Sequence, residues 1–384
     1  MSEYQYYEFQ AVDRPLTEKE ISDLRGFSSR AKITMHSFTN EYSWGSFKGD
    51  ENLWMERYFD GFLYYANWGT HILKLRLPSA LLDLKTAQFY CRKHHLSARL
   101  NRDKIIIDFL SENEDYDESE DDRQLSSFLP LRSDLSHGDL RCLYLGWLSD
   151  LQSDEYDELE LEPPVPPGLQ NLNPALKELA DFLRIDPDLI QAAASASCSL
   201  NDQAPNSKDL RTWLATLSVN KKDEILGDIL EASMRGDHTP ALLQVNHFTQ
   251  VWHSFQEIPK ESKQRTVGQL LRDAEVVRQK RLQVEAEKAA AAIAEQKRLQ
   301  RIAREKRLNE IMGHESTLWN EIESLTSEKK AKSYDRAIEL LTDLRDLADR
   351  EGSNGFLLKL EALKQRHSAK SSFIKRLQST FRAD

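Results

Sequence analysis

The chain has no apolar run near the roughly 18 consecutive residues that a membrane-spanning helix needs, so no span is expected. Cysteine is scarce too. Cys91, Cys142 and Cys198 are odd in number and far apart, which argues against a disulfide framework and for a reducing cytoplasm. The opening "MSEYQYYEFQ" lacks a basic stretch followed by an apolar one and is not read as a signal peptide. Neither G-x-x-x-x-G-K-[ST] nor G-x-G-x-x-G occurs, which removes the standard phosphate cradles. "WGSFKGD" (44–50) has glycines and a lysine at the wrong spacing and reads as a loop before a helix.

Charge, by contrast, is plentiful. Charged residues make up 30% of the 384 and the net charge is −11, unevenly spread. "ENEDYDESEDD" (112–122) holds eight carboxylates and no base, and "DLQSDEYDELELE" (150–162) holds seven more. Like charges in blocks repel one another and stay solvated, so both are expected as loops. Residues 260–312 carry fourteen Lys/Arg against eight Asp/Glu, a local +6. A mean hydropathy of −0.62 implies much exposed surface.

Sixteen of the thirty-four aromatic residues lie in the first seventy positions, enough bulk for a core. "YYEFQAV" has strand composition, and in "PLTEKEISDLRGFSS" Thr17 and Glu20 are spaced as a capping box, with Leu16 and Ile21 as its staple. "AKITMHSFTNEYSW" alternates as one strand, whereas "ENLWMERYFDGFLYY" places its apolar residues near helical spacing. In "HILKLRLP", Leu73, Leu75 and Leu77 oppose Ile72, Lys74 and Arg76. After a helix at 79–93, "LSARLNRDKIIIDFL" predicts a hairpin turning at Asn101–Asp103.

Residues 1–111 are thus expected as an α+β domain of four or five strands with helices on one face. An acidic loop, a short apolar helix ("HGDLRCLYLGWLSDL") and the proline-rich "EPPVPPG" fill 112–168 as a connection. Asn173-Pro174 and Asp186-Pro187 each set a capping side chain before a proline at the first helical position, opening an all-α domain at 169–258. A long charged helix at 259–312 follows. The C-terminal 313–384 is expected as a helical hairpin or three-helix bundle, with stripes Leu318/Ile322/Leu325, Tyr334/Ile338/Leu341/Leu344/Leu347 and Phe356/Leu360/Leu363.

"LADFLRIDPDLIQAAASAS", "LRTWLATLSVNKKDEIL", "RTVGQLLRDAE" and "YDRAIELLTDLRDLADREG" resemble, in this order, segments of a widespread group of uncharacterised bacterial proteins. "YYEFQAVDRPLT" and "ERYFDGFLYYANWGTHIL" resemble that group's opening. The resemblance implies a bacterial origin and a shared architecture. It carries no activity and no catalytic residue onto this chain.

Residues 267–312 contain one glycine and no proline, and strong helix formers dominate. Leu282, Val284, Ile293, Leu299, Ile302, Leu308 and Ile311 keep no heptad register, so an extended zipper is not expected. Lys297, Arg301 and Arg304 fall within about 60° on a helical projection, flanked by Arg298 and Arg307. A solvated face is the plain reading. The functional one is contact with an anion, either nucleic-acid phosphate or the acidic run 112–122.

Few other constellations offer chemistry. Cys91, His94 or His95, His137 and Cys142 have the right atoms for zinc but not the spacing of a zinc module, so buried structural cysteines are preferred and no metal or cofactor is expected. "YYANWGTH" groups Tyr65, Asn67, Trp68 and His71 beside a glycine, either a sheet-and-turn core or a ligand pocket. The leading expectation is a non-enzymatic interaction protein whose two docking regions are separated by a stiff soluble helix. The alternatives are an accessory subunit of a nucleic-acid-processing or defence complex, and an enzyme with its site near Trp68–His71.

Overall fold

A computed structural model describes residues 4–92, 94–112, 123–152, 156–200, 206–255 and 264–381. The chain divides into two units, 1–281 and 282–384. The first is built on an antiparallel sheet of β1 (Gln5–Gln10), β2 (Lys32–Ile33), β3 (Ser37–Tyr42), β4 (Gly61–Ala66), β5 (Thr70–Pro78), β6 (Leu96–Asn101) and β7 (Lys104–Glu112). Their order is β2-β3-β1-β4-β5-β7-β6. An α+β region followed by mainly helical chain is therefore correct, but the sheet is larger than the four or five strands expected.

Two strands account for the difference. The stretch read as one strand at 31–44 is the β2–β3 hairpin, closed by Thr34 N–H donating to the Ser37 carbonyl at 2.9 Å. The helix expected across 51–65 stops: α2 (Glu51–Arg57) ends and Gly61–Ala66 is the central strand β4. All six β4 residues are buried. A strand covered on both faces loses the polar–apolar alternation that marks a half-exposed one.

Both faces are indeed covered, not one. Phe62, Tyr64 and Ile106 join Phe9, Phe38, Trp54, Phe59 and Leu24 on one side, under α1 (Glu18–Arg25) and α2. Leu63, Tyr65, Leu73, Leu75, Leu77, Ile105, Ile107 and Phe109 face the other. This is the period of two that a pleated strand imposes. The second face is roofed by α4 (Leu129–Ser136), α5 (Arg141–Asp150), α6 (Pro174–Phe182) and α7 (Pro187–Ala194), whose Leu131, Leu145, Trp147, Leu176, Phe182 and Leu189 share its core. Every α5 residue is buried. The helix expected at 79–93 shortens to α3 (Leu84–Gln88).

The expected partition at the proline-rich stretch therefore does not match where the core lies. Residues 174–194 belong with the sheet because their apolar faces have no other surface to cover. The caps proposed from sequence are in place: Thr17 and Glu20 form the capping box, and Asn173 and Asp186 accept from the amides of Leu176 and Asp188. The helices α8 (Ser207–Thr216), α9 (Val219–Met234) and α10 (Thr239–Phe255) are more open, with only Ala232 and Phe248 buried among their described apolar side chains.

Helix α11 (Val267–Ile311) crosses from the first unit into the second. At its start Val267 and Leu270 are fully buried in the sheet's second core. Residues 278–303 are then exposed without interruption. In the second unit, Leu308 and Ile311 pack on Leu347 and Leu318. There α12 (Glu315–Ser327), α13 (Ala331–Glu351), α14 (Gly355–Arg366) and α15 (Ser371–Thr380) enclose Ile322, Leu340, Leu341, Phe356, Leu360, Phe373 and Leu377. The three predicted stripes face this core. α15 makes it a four-helix arrangement, beyond the three expected. Gly352, at φ +63°, ends α13 in the left-handed conformation that glycine adopts without a Cβ clash.

Candidate functional site

The Tyr65–His71 group sits at the β4–β5 hairpin, where Tyr65 pairs with His71 and Gly69 turns the chain at φ +90°. Tyr65 stacks on Tyr6 with centroids 4.9 Å apart. Asn67 exchanges two hydrogen bonds with Tyr4, its Oδ1 accepting from the Tyr4 amide and its amide donating to the Tyr4 carbonyl, both at 3.0 Å. Trp68 remains partly exposed. His71 is buried and stacked on Phe182 at 4.8 Å. Its Nδ1 is 3.0 Å from the Phe182 carbonyl and therefore carries the proton, leaving Nε2 to accept from Arg184 at 3.1 Å. Arg184 also reaches the Gly69 carbonyl at 3.0 Å and Ser111 Oγ at 3.1 Å. These polar groups join the hairpin to the end of α6, and both His71 nitrogens are engaged in doing so.

The five basic residues of α11 singled out as anion contacts, Lys297, Arg298, Arg301, Arg304 and Arg307, separate into two sets. Arg298 pairs with Glu295 one turn back, at 2.9 Å. Arg304 donates to Asp346 from Nε at 3.0 Å and Nη2 at 2.6 Å, and also bonds Asp343. Arg307 Nε reaches Asp343 at 3.1 Å. Burial alone would raise the Asp346 carboxyl, but hydrogen bonds from Arg304 and Arg345 outweigh it and hold it below the usual range. Lys297 and Arg301 are exposed and have no acidic partner among the described residues. The acidic run expected to mask this face lies, beyond Glu112, outside the described residues.

The candidate zinc ligands do not assemble. Cys142 is fully buried, His137 Nδ1 contacts the Ser133 carbonyl at 2.7 Å, and His95 Nδ1 contacts the Ser149 carbonyl at 3.1 Å. Among the described residues no three His, Cys, Asp or Glu side chains come together to hold a metal. No described helix is long and apolar enough to cross a membrane.

A site that the sequence did not suggest lies beside the proline-rich stretch. Leu161 bridges to Thr266, while the amides of Glu162 and Val267 donate to the carbonyls of Arg265 and Glu160 at 2.9 and 2.8 Å. This places Glu162, 2% exposed, against Arg265, which donates from Nε at 2.7 Å and Nη2 at 2.8 Å. The Tyr144 hydroxyl also donates to Glu162. Burial, with Glu162 beside it, pushes the Tyr144 phenol far above its ordinary range. Next to this network is a cleft of about 390 Å³ lined by Phe89, Cys91, Arg92, Trp147, Glu160, Leu161, Glu162, Pro163, Pro164 and Gln264. Arg92 pairs with Glu160. Burial raises the Cys91 thiol to about 11, so it is protonated at neutral pH. The acidic composition of 150–162 hid this arrangement, because Glu162 reads as one more solvated carboxylate until Arg265 is beside it.

No family model, curated protein or solved structure matches this chain.

Proposed function

We propose that the chain is a non-enzymatic cytoplasmic interaction protein, with a docking region in each unit and α11 as the stiff, soluble connection. The observation that carries this reading is the exposed run 278–303. A helix turn with no buried side chain adds nothing to a core, and alanine with mixed charge keeps it helical and soluble. The second unit supports the reading with Leu357 and Leu358, which are 67% and 77% exposed on α14 beside the buried Phe356 and Leu360. These two leucines are the expected anchors for a protein partner.

The experiment is affinity purification with Leu357→Asp/Leu358→Asp against the unaltered protein. Because both residues lie outside the core, the variant keeps its helix content and loses a co-purifying protein. A variant that retains every partner overturns the assignment of this face.

A second reading, contact with nucleic-acid phosphate, is favoured by Lys297 and Arg301, whose charges no described carboxylate offsets. Duplex binding that weakens steeply with salt and disappears in Arg301→Glu supports it. An unchanged gel shift removes it.

A further inference from the structure

Lys370 stands in an arrangement that no other described lysine shares. Its Nζ lies 2.9 Å from His367 Nδ1 and donates to the Thr326 carbonyl, also at 2.9 Å. An ammonium can only donate, so Nδ1 carries the lone pair and Nε2 the proton. Nε2 is 2.6 Å from Glu323 Oε2, which accepts that proton's hydrogen bond. Carboxylate, imidazole and amine thus form one chain of hydrogen bonds. Glu323 fixes the ring, and the ring's basic nitrogen faces the amine. A base in reach of a nucleophile, and itself oriented by a third group, is how proteins activate a nucleophile.

The second unit holds this chain of groups at its surface. His367 and Lys370 lie in the short connection between α14 and α15, and Thr326 is in the last turn of α12. Ser368, Ala369, Ser371 and Ser372 are exposed, and Lys370 itself is half-buried. Phe373 and Leu377 are fully buried, which anchors the backbone just beyond the amine. Arg366 is 60% exposed and lies 2.8 Å from the same carboxylate. Two positive charges, Arg366 and Lys370, therefore meet one negative charge, and an anionic reagent is attracted.

We propose that Lys370 is a modification site, an amine primed to accept an acyl group from an acyl phosphate. The fraction of Lys370 present as free amine attacks the acyl carbon and forms the C–N bond. The nitrogen then passes a proton to His367 Nδ1. The C–O bond to phosphate breaks, phosphate departs with the electron pair, and His367 returns its proton to the phosphate or to water. The product amide is neutral and keeps one N–H, which cannot serve both Thr326 and His367. Acylation therefore loosens the start of α15 from α12. The site does not depend on the docking reading, which rests on α11, Leu357 and Leu358.

Full-length protein is incubated with acetyl phosphate at mildly alkaline pH, and acetylation of each lysine is followed over time by peptide mass spectrometry. Lys288, exposed on α11, is the internal standard. Lys370 is acetylated roughly tenfold faster than Lys288, short of the about 100-fold that a positioned base can give because the amine is partly covered. His367→Gln brings Lys370 down to the Lys288 rate with helical circular dichroism unchanged. N-hydroxysuccinimidyl acetate, which carries no phosphate, prefers Lys370 less. Lys370 reacting no faster than Lys288, a folded His367→Gln variant that keeps the preference, or an equal preference with the uncharged reagent each overturns the proposal. The first comparison uses the unaltered protein, so a misfolded variant leaves the test intact.

Discussion

Arg304 holds Asp346 through two nitrogens that share one oxygen, Nε at 3.0 Å and Nη2 at 2.6 Å from Oδ2. The same guanidinium reaches Asp343, so a single α11 residue ties two carboxylates of α13. A residue chosen from sequence as an anion contact already has its anions, supplied by the helix it packs on.

Breaking this contact tests its weight. Both side chains remain about one-third exposed, so solvent screening limits the pair. Asp346→Asn is expected to cost about 1 kcal/mol, and Arg304→Gln, which loses Asp343 as well, somewhat more. Urea unfolding followed by helical circular dichroism measures both. The gap from the unaltered protein should narrow in roughly 1 M salt.

Acid should act on the same contact. Asp346 has its folded pKa held below the ordinary value, so its contribution is complete above the unfolded pKa, near ~3.9, and is lost as pH falls through the folded one. Glu20, lowered to about 2 chiefly by Arg14, behaves alike, though the half-exposed Arg14 keeps the effect small through solvent screening. Stability should therefore fall below about pH 4, and Asp346→Asn should flatten that fall. A denaturation midpoint followed from pH 7 to pH 3 for both proteins checks the sign.

Two helical glycines make opposite predictions. A Cβ on Gly146 in α5 would meet Phe109 at 3.0 Å and Leu96 at 3.1 Å, both in the sheet's core. Gly146→Val should destabilise by about 1–3 kcal/mol through overpacking. A Cβ on Gly227 in α9 would meet nothing within 4 Å, so Gly227→Ala should stabilise by up to about 1 kcal/mol. Thermal unfolding of the two variants should move in opposite directions.

Glu162→Ala leaves Arg265 and the Tyr144 hydroxyl without their shared carboxylate. Removing one partner of a buried pair costs about 3–5 kcal/mol. Because residues 158–162 hold the start of α11, amide hydrogen exchange should quicken at Val267 and Gly268, whose N–H groups donate to Glu160 and Glu158. Exchange unchanged there would show that the backbone bridge alone fixes the segment.

What the sequence by itself determined is local. The Thr17–Glu20 capping box, the caps at Asn173 and Asp186, the β6–β7 turn, the continuity of α11 and the C-terminal stripes all depend on partners within a few residues, so their spacing is their signal. Tertiary structure decided the rest. β4 became a strand because cores on both faces cover it, and α6 and α7 joined the sheet because its second face was open to them. Glu162 turned from one carboxylate in an acidic block into a buried anchor only with Arg265 brought against it, and Arg304 found its acids on another helix. Pairings between distant residues leave no periodic mark in a chain; they exist only once folding has brought the partners together.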